Sequence, residues 1–334
     1  MLKDDYGRTV DYLRISITDR CDLRCTYCIP KGFTEFEKPA HWLSFDDIER
    51  IVSQFAALGT KRFRLTGGEP LLRKNIVELV ARLKRIQGVE DLSLSTNATQ
   101  LAHYAHALRE AGLDRLNISL DSLSHDNLNH IVGSDAHAKI MAGLKAAKEA
   151  GFQRIKINMV ALAGINEHEI DKMVAFCLEN GFILRLIELM PMGSTAQRHQ
   201  YLDLQPIIEH LSQKFQLQPT EKSYGGGPAR YWQNAEETFL LGYITPLSQH
   251  FCATCNRVRL SVDGTLYMCL GHEHQYPLAE LLKNNASDAE LQAAIQHRRR
   301  EARYVQGHQP DRSSVDCPAA SRVEHQRPDE HGCR

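Results

Sequence analysis

The chain has 334 residues, of which 43% are hydrophobic and 24% charged, as is typical of a globular protein with a sizeable core. Its formal net charge of −1 provides no general attraction to nucleic acids or membrane surfaces, so any site for anions must be local. No apolar run is long enough to span a membrane and the first residues do not resemble a secretory leader, so the nine cysteines predict a cytoplasmic protein that uses them for metal binding or catalysis rather than disulfides.

The first predicted element is an apolar strand at 12–18, and three closely spaced cysteines follow it directly. Cys21, Cys25 and Cys28 form a C-x3-C-x2-C loop that contains no fourth cysteine. Three thiolates can hold a four-iron cubane and leave one iron open for an external ligand. A structural zinc ion would need a further Cys or His, and zinc sites have other spacings. We therefore interpret this segment as a loop that binds an iron–sulfur cluster.

A repeat of helix, glycine and strand follows the cysteine loop. Glycine suits the left-handed cap of a helix, and a short link to an apolar run is typical of an αβ loop. The first helix also has a start signal, with Ser44 three residues ahead of Asp47. The glycines are Gly59, Gly88, Gly112, Gly151 and Gly181, and the strands after them are 63–66, 92–95, 116–120, 155–160 and 184–188.

Polar residues alternate with apolar ones along several of these six strands. They are Arg14, Ser16, Arg64, Ser93, Ser95, Asn117, Ser119, Lys156, Asn158 and Arg185. A parallel strand buried on both faces would be continuously apolar, so the alternation indicates an open barrel whose interior holds a ligand. Six units are fewer than the eight of a closed barrel. The sequence therefore predicts an α/β fold with an incomplete (β/α)6 barrel at 1–215, and a doubly wound sheet is the alternative.

The repeat stops beyond about Leu202. Short strands are predicted at 229–232 and 238–244, and a hairpin at 258–268 turns at Asp263-Gly264. We predict that 216–296 form a C-terminal α+β segment that caps the barrel opening.

A second cysteine group lies in this C-terminal segment. Cys252, Cys255 and Cys269 have the spacing C-x2-C-x13-C, and His272 would complete a zinc site, so zinc is at least as good an interpretation as iron from these residues alone. The context favours a second three-cysteine cluster with an open iron for substrate. Two arginines that alternate on the following strand, at 257 and 259, suit phosphate oxygens, although strand arginines often simply face solvent.

Together these motifs make the chain similar to the GTP 3′,8-cyclase family of radical SAM enzymes, which begin molybdenum cofactor synthesis. The similarity extends from about Asp11 to about Leu282 and is most specific in the two cysteine groups and the Cys-Asn-Arg-Val-Arg run at 255–259. It implies two [4Fe-4S] clusters, one on Cys21, Cys25 and Cys28 and one on Cys252, Cys255 and Cys269. It implies an S-adenosylmethionine site formed by Tyr27, Gly68, Glu69, Ser119 and Met190. It implies a GTP site formed by Arg14, Arg64, Ser95, Lys156, Arg185, Arg257, Val258 and Arg259, with Ser95 where the family usually has Thr.

The resemblance also implies the reaction. Reductive cleavage of S-adenosylmethionine gives a 5′-deoxyadenosyl radical that takes the C3′ hydrogen of GTP, and C3′ then attacks C8 to give (8S)-3′,8-cyclo-7,8-dihydroguanosine 5′-triphosphate. The catalytic residues would be the first three cysteines with Arg257 and Arg259. The implied partners are an electron donor such as flavodoxin or ferredoxin, a cyclic pyranopterin monophosphate synthase that receives the product, and a second copy in a homodimer, with no membrane and no nucleic acid.

Two other functions are compatible with parts of the sequence. Another radical SAM enzyme with auxiliary clusters would carry more C-terminal cysteines and would not need a cationic ring of this size. A zinc-stapled nucleic-acid-binding protein using Arg257 and Arg259 would be a basic chain, whereas this one is neutral.

The last segment, 297–334, departs from the family. It contains eight Arg and no Lys, whereas 1–296 contain 18 Arg and 14 Lys, and it ends in His-Gly-Cys-Arg where the family has Gly-Gly. This composition predicts a disordered tail or a shifted reading frame, and with it weak cyclisation.

Overall fold

A computed structural model describes residues 2–3, 8–29, 32–190, 196, 199–222, 224, 226–249, 251, 254–269 and 275–300. Its strands are β1 Tyr12–Ser16, β2 Arg62–Thr66, β3 Asp91–Thr96, β4 Arg115–Ser119, β5 Ile155–Ala161, β6 Ile183–Glu188, β7 Gln218–Thr220, β8 Arg230–Gln233, β9 Leu240–Ile244, β10 Arg257–Leu260, β11 Thr265–Tyr267 and β12 Gln275–Pro277. Its α-helices include α1 Phe45–Ala57, α2 Ile76–Lys84, α3 Leu101–Glu110, α4 His125–Val132, α5 His137–Glu149, α6 Ile170–Asn180, α7 Gln205–Lys214, α8 Leu278–Lys283 and α9 Asp288–Arg300.

Six parallel strands, β1 to β6, lie side by side in chain order, as the repeat predicts. Their local signals are confirmed as well. The capping box of α1 is complete, with the Asp47 amide 3.1 Å from the Ser44 hydroxyl and the Ser44 amide 3.0 Å from the Asp47 carboxylate. All five glycines between helix and strand have a positive φ, which glycine adopts without a steric penalty.

The core lies between this sheet and its helices. Alternate strand residues point to opposite faces, so Leu13 and Ile15 of β1 and Phe63 and Leu65 of β2 pack on the helical side, all fully buried. The other face of the same strands carries the polar residues. The sheet is therefore a wall with an apolar outer side and a polar inner side.

The C-terminal strands extend both edges of the six-stranded sheet. β10 pairs in parallel with β1, with Leu13 opposite Val258, and β9 pairs in parallel with β6, with Leu186 opposite Tyr243. In the described part of the chain this gives one open sheet in the order β12-β11-β10-β1-β2-β3-β4-β5-β6-β9-β8-β7. The predicted C-terminal cap is thus built into the barrel wall, while the hairpin of β10 and β11 forms as predicted.

The proposed segment boundaries at 215 and 297 stay predictions. The first falls directly after α7, whereas the second lies inside α9, whose Leu291 and Ile295 are buried. α9 is also held to α1, because Arg50 Nε lies 2.8 Å from the Asp288 carboxylate. The remainder of the predicted tail, 301–334, lies outside the described residues. Among the helices that the structure describes, none has the length and apolar character needed to cross a bilayer.

Candidate active site

The polar residues predicted from strand alternation converge on the inner face of the sheet. Residues that are paired in register across parallel strands share one face. One such row crosses five strands. The row is Arg259, Arg14, Arg64, Ser93 and Arg115. Other residues of the same face pair in neighbouring rows, such as Asn117 with Lys156 and Asn158 with Arg185. Seven basic residues of this face, which we call the cationic wall, are Arg14, Arg64, Arg115, Lys156, Arg185, Arg257 and Arg259.

Burial and mutual repulsion lower the pKa values of five residues of the cationic wall, whereas the carboxylate of Asp91 raises the pKa of Arg115. The five are Arg14, Arg64, Lys156, Arg185 and Arg259. The charge of Arg259, followed by burial, holds the pKa of Arg14 well below its usual range. Burial is the main cause that lowers the pKa values of Arg185 and Arg259, each to about 10. Burial and then nearby guanidinium groups lower the pKa of Lys156 to about 6. The wall therefore holds more positive charge than its own acceptors neutralise.

The acceptors of two wall residues are neutral groups. Lys156 is only 2% exposed. Its Nζ donates to the carbonyl oxygen of Tyr224 and, at 3.4 Å, to the hydroxyl of Tyr231. Arg185 Nη2 donates to the Asn117 carboxamide oxygen at 2.6 Å.

Several buried polar atoms of the same face have no hydrogen-bond partner in the described part of the protein. They are Arg14 Nε, Arg185 Nε, the Tyr12 hydroxyl and Asn158 Oδ1. Unpaired buried donors are costly, and an anionic ligand that accepts from the guanidinium groups would remove that cost. The inner face is therefore equipped for a polyanion.

Arg115 is a wall residue that the sequence reasoning missed. Its Nε donates to Asp91 Oδ1 at 2.7 Å, and Nη2 contacts the other carboxylate oxygen. The predicted strand began one residue too late to include it. Its position two residues before Asn117, on the same alternating face, was the signal that could have revealed it.

The first cysteine group lies at the carboxyl end of the six strands. The loop that carries Cys21, Cys25 and Cys28 leaves β1 there, and parallel strands bring their carboxyl ends to one edge, where barrel enzymes place their active sites. Cys21 and Cys25 are partly buried and Cys28 is exposed. The residues predicted to bind S-adenosylmethionine follow or end strands at this same edge, except Tyr27, which belongs to the loop itself. They are Tyr27, Gly68, Glu69, Ser119 and Met190.

Neighbouring segments hold the cysteine loop in place. The amides of Arg24 and Thr26 donate to the carbonyls of Val132 and Ile131 at the end of α4, both at 2.9 Å. From the loop after β3, Asn97 Nδ2 donates to Asp22 at 2.8 Å. The loop is thus fixed by main-chain contacts on one side and by a side-chain amide on the other.

The glycine pair after β2 allows a second backbone to approach this loop. A Cβ atom at 67 would lie 2.0 Å from the Thr18 carbonyl oxygen, and one at 68 would lie 2.2 Å from that of Arg20. Instead, the Gly68 amide donates to Thr18 at 2.9 Å and the Glu69 amide to Arg20 at 2.7 Å. The structure thus supplies a reason for glycine here that does not require a ligand.

Two carboxylates near the cysteine loop are fully engaged. Glu69 accepts hydrogen bonds from the amides of Leu71 and Asn97 and from the Thr96 hydroxyl, and burial still raises its pKa to about 7. The second is Asp121, which accepts the Tyr27 hydroxyl at 2.6 Å and the Val160 amide at 2.8 Å. Burial raises the pKa of Asp121 to about 6.

The donor set of the first cysteine group fits an iron–sulfur cluster. Burial raises the pKa of Cys21 to about 11 and raises the pKa values of Cys25 and Cys28 as well. The charges of the other two thiols contribute to the shift of Cys25, so the three lie close to one another. Thiolates in such a setting need cationic partners, which cluster irons supply. In the described residues, no three His, Cys, Asp or Glu side chains have the arrangement for a single metal ion.

The second cysteine group lies at the opposite end of the strands. Cys255 precedes β10, which starts level with Tyr12 at the amino end of β1. Cys269 follows β11, whose Tyr267 pairs with Arg259, so the hairpin returns it toward Cys255. Both thiols act on the pKa of Arg259, which places them near it. Cys252 and His272 lie outside the described residues.

The cationic wall spans the distance between the two cysteine groups. Four residue steps separate Tyr12 from Ser16, and a strand rises about 3.3 Å per residue, so roughly 13 Å of inner face lies between the two ends of β1. An extended ligand can therefore contact the wall and reach toward both groups.

Two family models match the chain. The Radical SAM superfamily model matches residues 15–177, and the Molybdenum Cofactor Synthesis C model matches 182–305. Similar curated proteins include GTP 3′,8-cyclases. That of Pseudomonas putida (strain W619) is 42% identical over 300 residues, 88% of this chain and 89% of the relative. That of Paracoccus denitrificans (strain Pd 1222) is 41% identical over 317 residues, 93% and 91% of the two chains.

Among solved structures, the fold is similar to that of Streptococcus suis SuiB. The TM-score is 0.59 at 17% identity, and the match covers 86% of this chain and 68% of SuiB. The structure of SuiB bound to S-adenosylmethionine matches with a TM-score of 0.56. At this identity the likeness establishes the fold alone.

We predict that Gly68→Ala disturbs the first cysteine loop, because its Cβ would collide with the Arg20 carbonyl. After anaerobic reconstitution, the variant should bind clearly less iron per chain than the parent protein. Gly227→Ala is the control, since no atom lies within 4 Å of a Cβ at 227, and its iron content should be normal. A Gly68→Ala variant with full iron content would contradict the role given to this close approach.

Proposed function

We infer that this chain, which belongs to the GTP 3′,8-cyclase family of the radical SAM superfamily, converts GTP to (8S)-3′,8-cyclo-7,8-dihydroguanosine 5′-triphosphate in the first step of molybdenum cofactor biosynthesis. The observation that carries this inference is the cationic wall, which lies between two cysteine groups at opposite ends of the barrel strands. A triphosphate brings up to four negative charges, and buried guanidinium groups with unpaired N–H donors are suited to accept them.

The two cysteine groups would hold the cofactors. Cys21, Cys25 and Cys28 would bind one [4Fe-4S] cluster, and Cys252, Cys255 and Cys269 the other. S-adenosylmethionine bound at the first cluster would supply a 5′-deoxyadenosyl radical on reductive cleavage, with the electron coming from the cluster. The residues that would position S-adenosylmethionine are Tyr27, Gly68, Glu69, Ser119 and Met190. Because these residues lie at the carboxyl edge of the sheet, S-adenosylmethionine would face the barrel interior from that edge.

The inner face would hold the nucleotide. The triphosphate would contact Arg14, Arg64, Lys156, Arg185, Arg257 and Arg259. Ser95 would donate its hydroxyl from the same face. Val258 faces the core with 4% exposure, so its contact would be through the main chain. Guanine would point toward the second cysteine group and the ribose C3′ toward the first, which is the orientation that hydrogen abstraction requires.

The remaining partners are proposals that follow from family membership. A flavodoxin or ferredoxin would supply electrons, and a cyclic pyranopterin monophosphate synthase would receive the product. A homodimer in the cytoplasm would be the working form.

The two cysteine groups should have separable roles. After anaerobic reconstitution, Cys25→Ala should lose about half of the iron and form no 5′-deoxyadenosine, because its open-iron site is destroyed. Cys269→Ala should also lose about half of the iron, yet it should still cleave S-adenosylmethionine without converting GTP. Iron, sulfide and 5′-deoxyadenosine are measured for both. Zinc in place of iron at the second group would contradict its proposed role in substrate binding.

The affinity for GTP should depend on individual residues of the cationic wall. Removing one charge-assisted phosphate contact costs about 1.5–3 kcal/mol, so Arg259→Ala should weaken GTP binding roughly tenfold to a hundredfold. Isothermal titration calorimetry gives the affinity. Arg82→Ala is the control, because Arg82 pairs with Asp46 and Glu49 at the helical surface, and its affinity should be unchanged. If Arg259→Ala bound GTP as tightly as Arg82→Ala and the parent protein, the nucleotide would have to bind elsewhere.

GTP binding should be coupled to proton uptake by Lys156. Its pKa is about 6 in the empty site, and nearby phosphate would raise it, so binding above pH 6 takes up a proton and affinity falls as pH rises toward the bound pKa. The limit is about tenfold per pH unit. The charged groups that act on Lys156 are Arg185, Arg115, Arg64 and Asp91.

The measurement is the affinity for GTP at several pH values in the parent protein and in Lys156→Met. Ionisation of GTP itself affects both proteins equally, so the difference between their pH slopes reports Lys156. The slope should be shallower in Lys156→Met. Identical slopes would mean that Lys156 does not change its protonation state on binding.

A further inference from the structure

Tyr231 reaches the cationic wall from the C-terminal segment. It lies on β8 and is 5% exposed. It pairs with Gly242 of β9, and Gly242 pairs with Arg185 of β6. Its side chain therefore shares the inner face with the wall. Neither the alternation of the six barrel strands nor the residues implied by the family pattern included it.

Glycine at 242 provides the space for this arrangement. A Cβ atom there would lie 2.8 Å from Tyr231 Cε1 and 3.0 Å from Arg185 Cγ. The φ of Gly242 is not positive, so the backbone conformation does not require glycine. The tyrosine ring and the arginine stem thus occupy the space above this residue, and contact between the two side chains depends on it.

The phenol of Tyr231 contacts Lys156 across two strands. The hydroxyl lies 3.4 Å from Lys156 Nζ, and the ring centroid lies 5.7 Å from the same nitrogen. Burial raises the pKa of the phenol, and the charge of Arg185 opposes that shift. Tyr231 also packs edge to face against Tyr224, at 5.2 Å, and the Tyr224 carbonyl is the other acceptor for Lys156. Two groups of the C-terminal segment therefore hold the lysine.

We propose that Tyr231 is a positioning residue of the triphosphate site, which acts by holding Lys156 and Arg185 in the places where they meet phosphate. This inference rests on the proposed function. The phenol oxygen is a neutral acceptor that adds no charge to the wall, so it orients the ammonium group without competing with phosphate for it. The ring packs beside the aliphatic stem of Arg185 over Gly242, and the phenol also acts on the Arg185 guanidinium group electrostatically and by a hydrogen bond.

Tyr231→Phe tests this role, because it keeps the ring and removes only the hydroxyl. Calorimetry with GTP should show an affinity roughly fivefold to tenfold lower than that of the parent protein, since a hydrogen bond to a charged group is lost. Iron content should be normal. Tyr243→Phe is the matched control, because Tyr243 is buried one residue from Gly242, faces the opposite side with Leu186, and its hydroxyl has no partner in the described residues. It should bind GTP like the parent protein.

A double-mutant cycle separates positioning from a general structural effect. Because Tyr231 holds Lys156 as well as Arg185, Tyr231→Phe should weaken GTP binding clearly less in a Lys156→Met background than in the parent protein. The pH dependence gives a second readout, since loss of the phenol acceptor should move the decline in affinity to lower pH. Gly242→Ala should also weaken GTP binding, because the new Cβ displaces both side chains.

The possible outcomes are distinct. If the parent protein does not bind GTP, the proposed function fails. If it binds GTP and Tyr231→Phe binds equally well with the same pH dependence, the function stands and the positioning role is wrong. Equal losses in Tyr231→Phe and Tyr243→Phe, or fully additive losses in the double variant, would likewise overturn the role. Normal affinity in Gly242→Ala would show that the contact over this glycine is not needed.

Discussion

Repulsion among closely spaced, buried and half-buried basic side chains is the constraint on which the rest of this structure depends. Seven of them share the inner face of one sheet, and the strands hold them at fixed spacing. Asp91 balances Arg115, while Lys156 and Arg185 have neutral acceptors. Burial and like charge both disfavour the charged forms, which is why the pKa values of Arg14, Lys156 and Arg185 fall. Such a face reduces folding stability when it is empty, and a bound polyanion recovers that free energy.

The two ends of this face are built by different means. At the carboxyl end, main-chain contacts pack the glycine pair after β2 against the residues before Cys21. At the amino end, a hairpin brings Cys269 back toward Cys255, and parallel pairing of β10 with β1 fixes the hairpin to the barrel. The first cysteine group follows the carboxyl end of β1, and the second is held beside its amino end by β10. The length of β1 therefore sets the distance between the two cysteine groups. A reaction that needs both groups at one ligand depends on that spacing.

The C-terminal segment also completes the wall chemically. β10 adds Arg257 and Arg259 next to β1, and β9 and β8 add Gly242 and Tyr231 next to β6. The barrel alone would therefore present only part of the site. The segments that the two family models match therefore both contribute side chains to the same inner face.

The amino-acid sequence by itself determined the local elements: the six strands, the glycine caps, the capping box at Ser44 and the turn at Asp263-Gly264. Each depends on residues a few positions apart, so pattern and propensity suffice. Strand alternation also placed most of the cationic wall on one face. Only the tertiary structure decided that β10 and β9 extend opposite edges, that Arg115 pairs with Asp91 24 residues away, and that Tyr231 meets Lys156 at a separation of 75. These contacts depend on how distant strands pair, and the periodicity of a single strand carries no information about its partner or register.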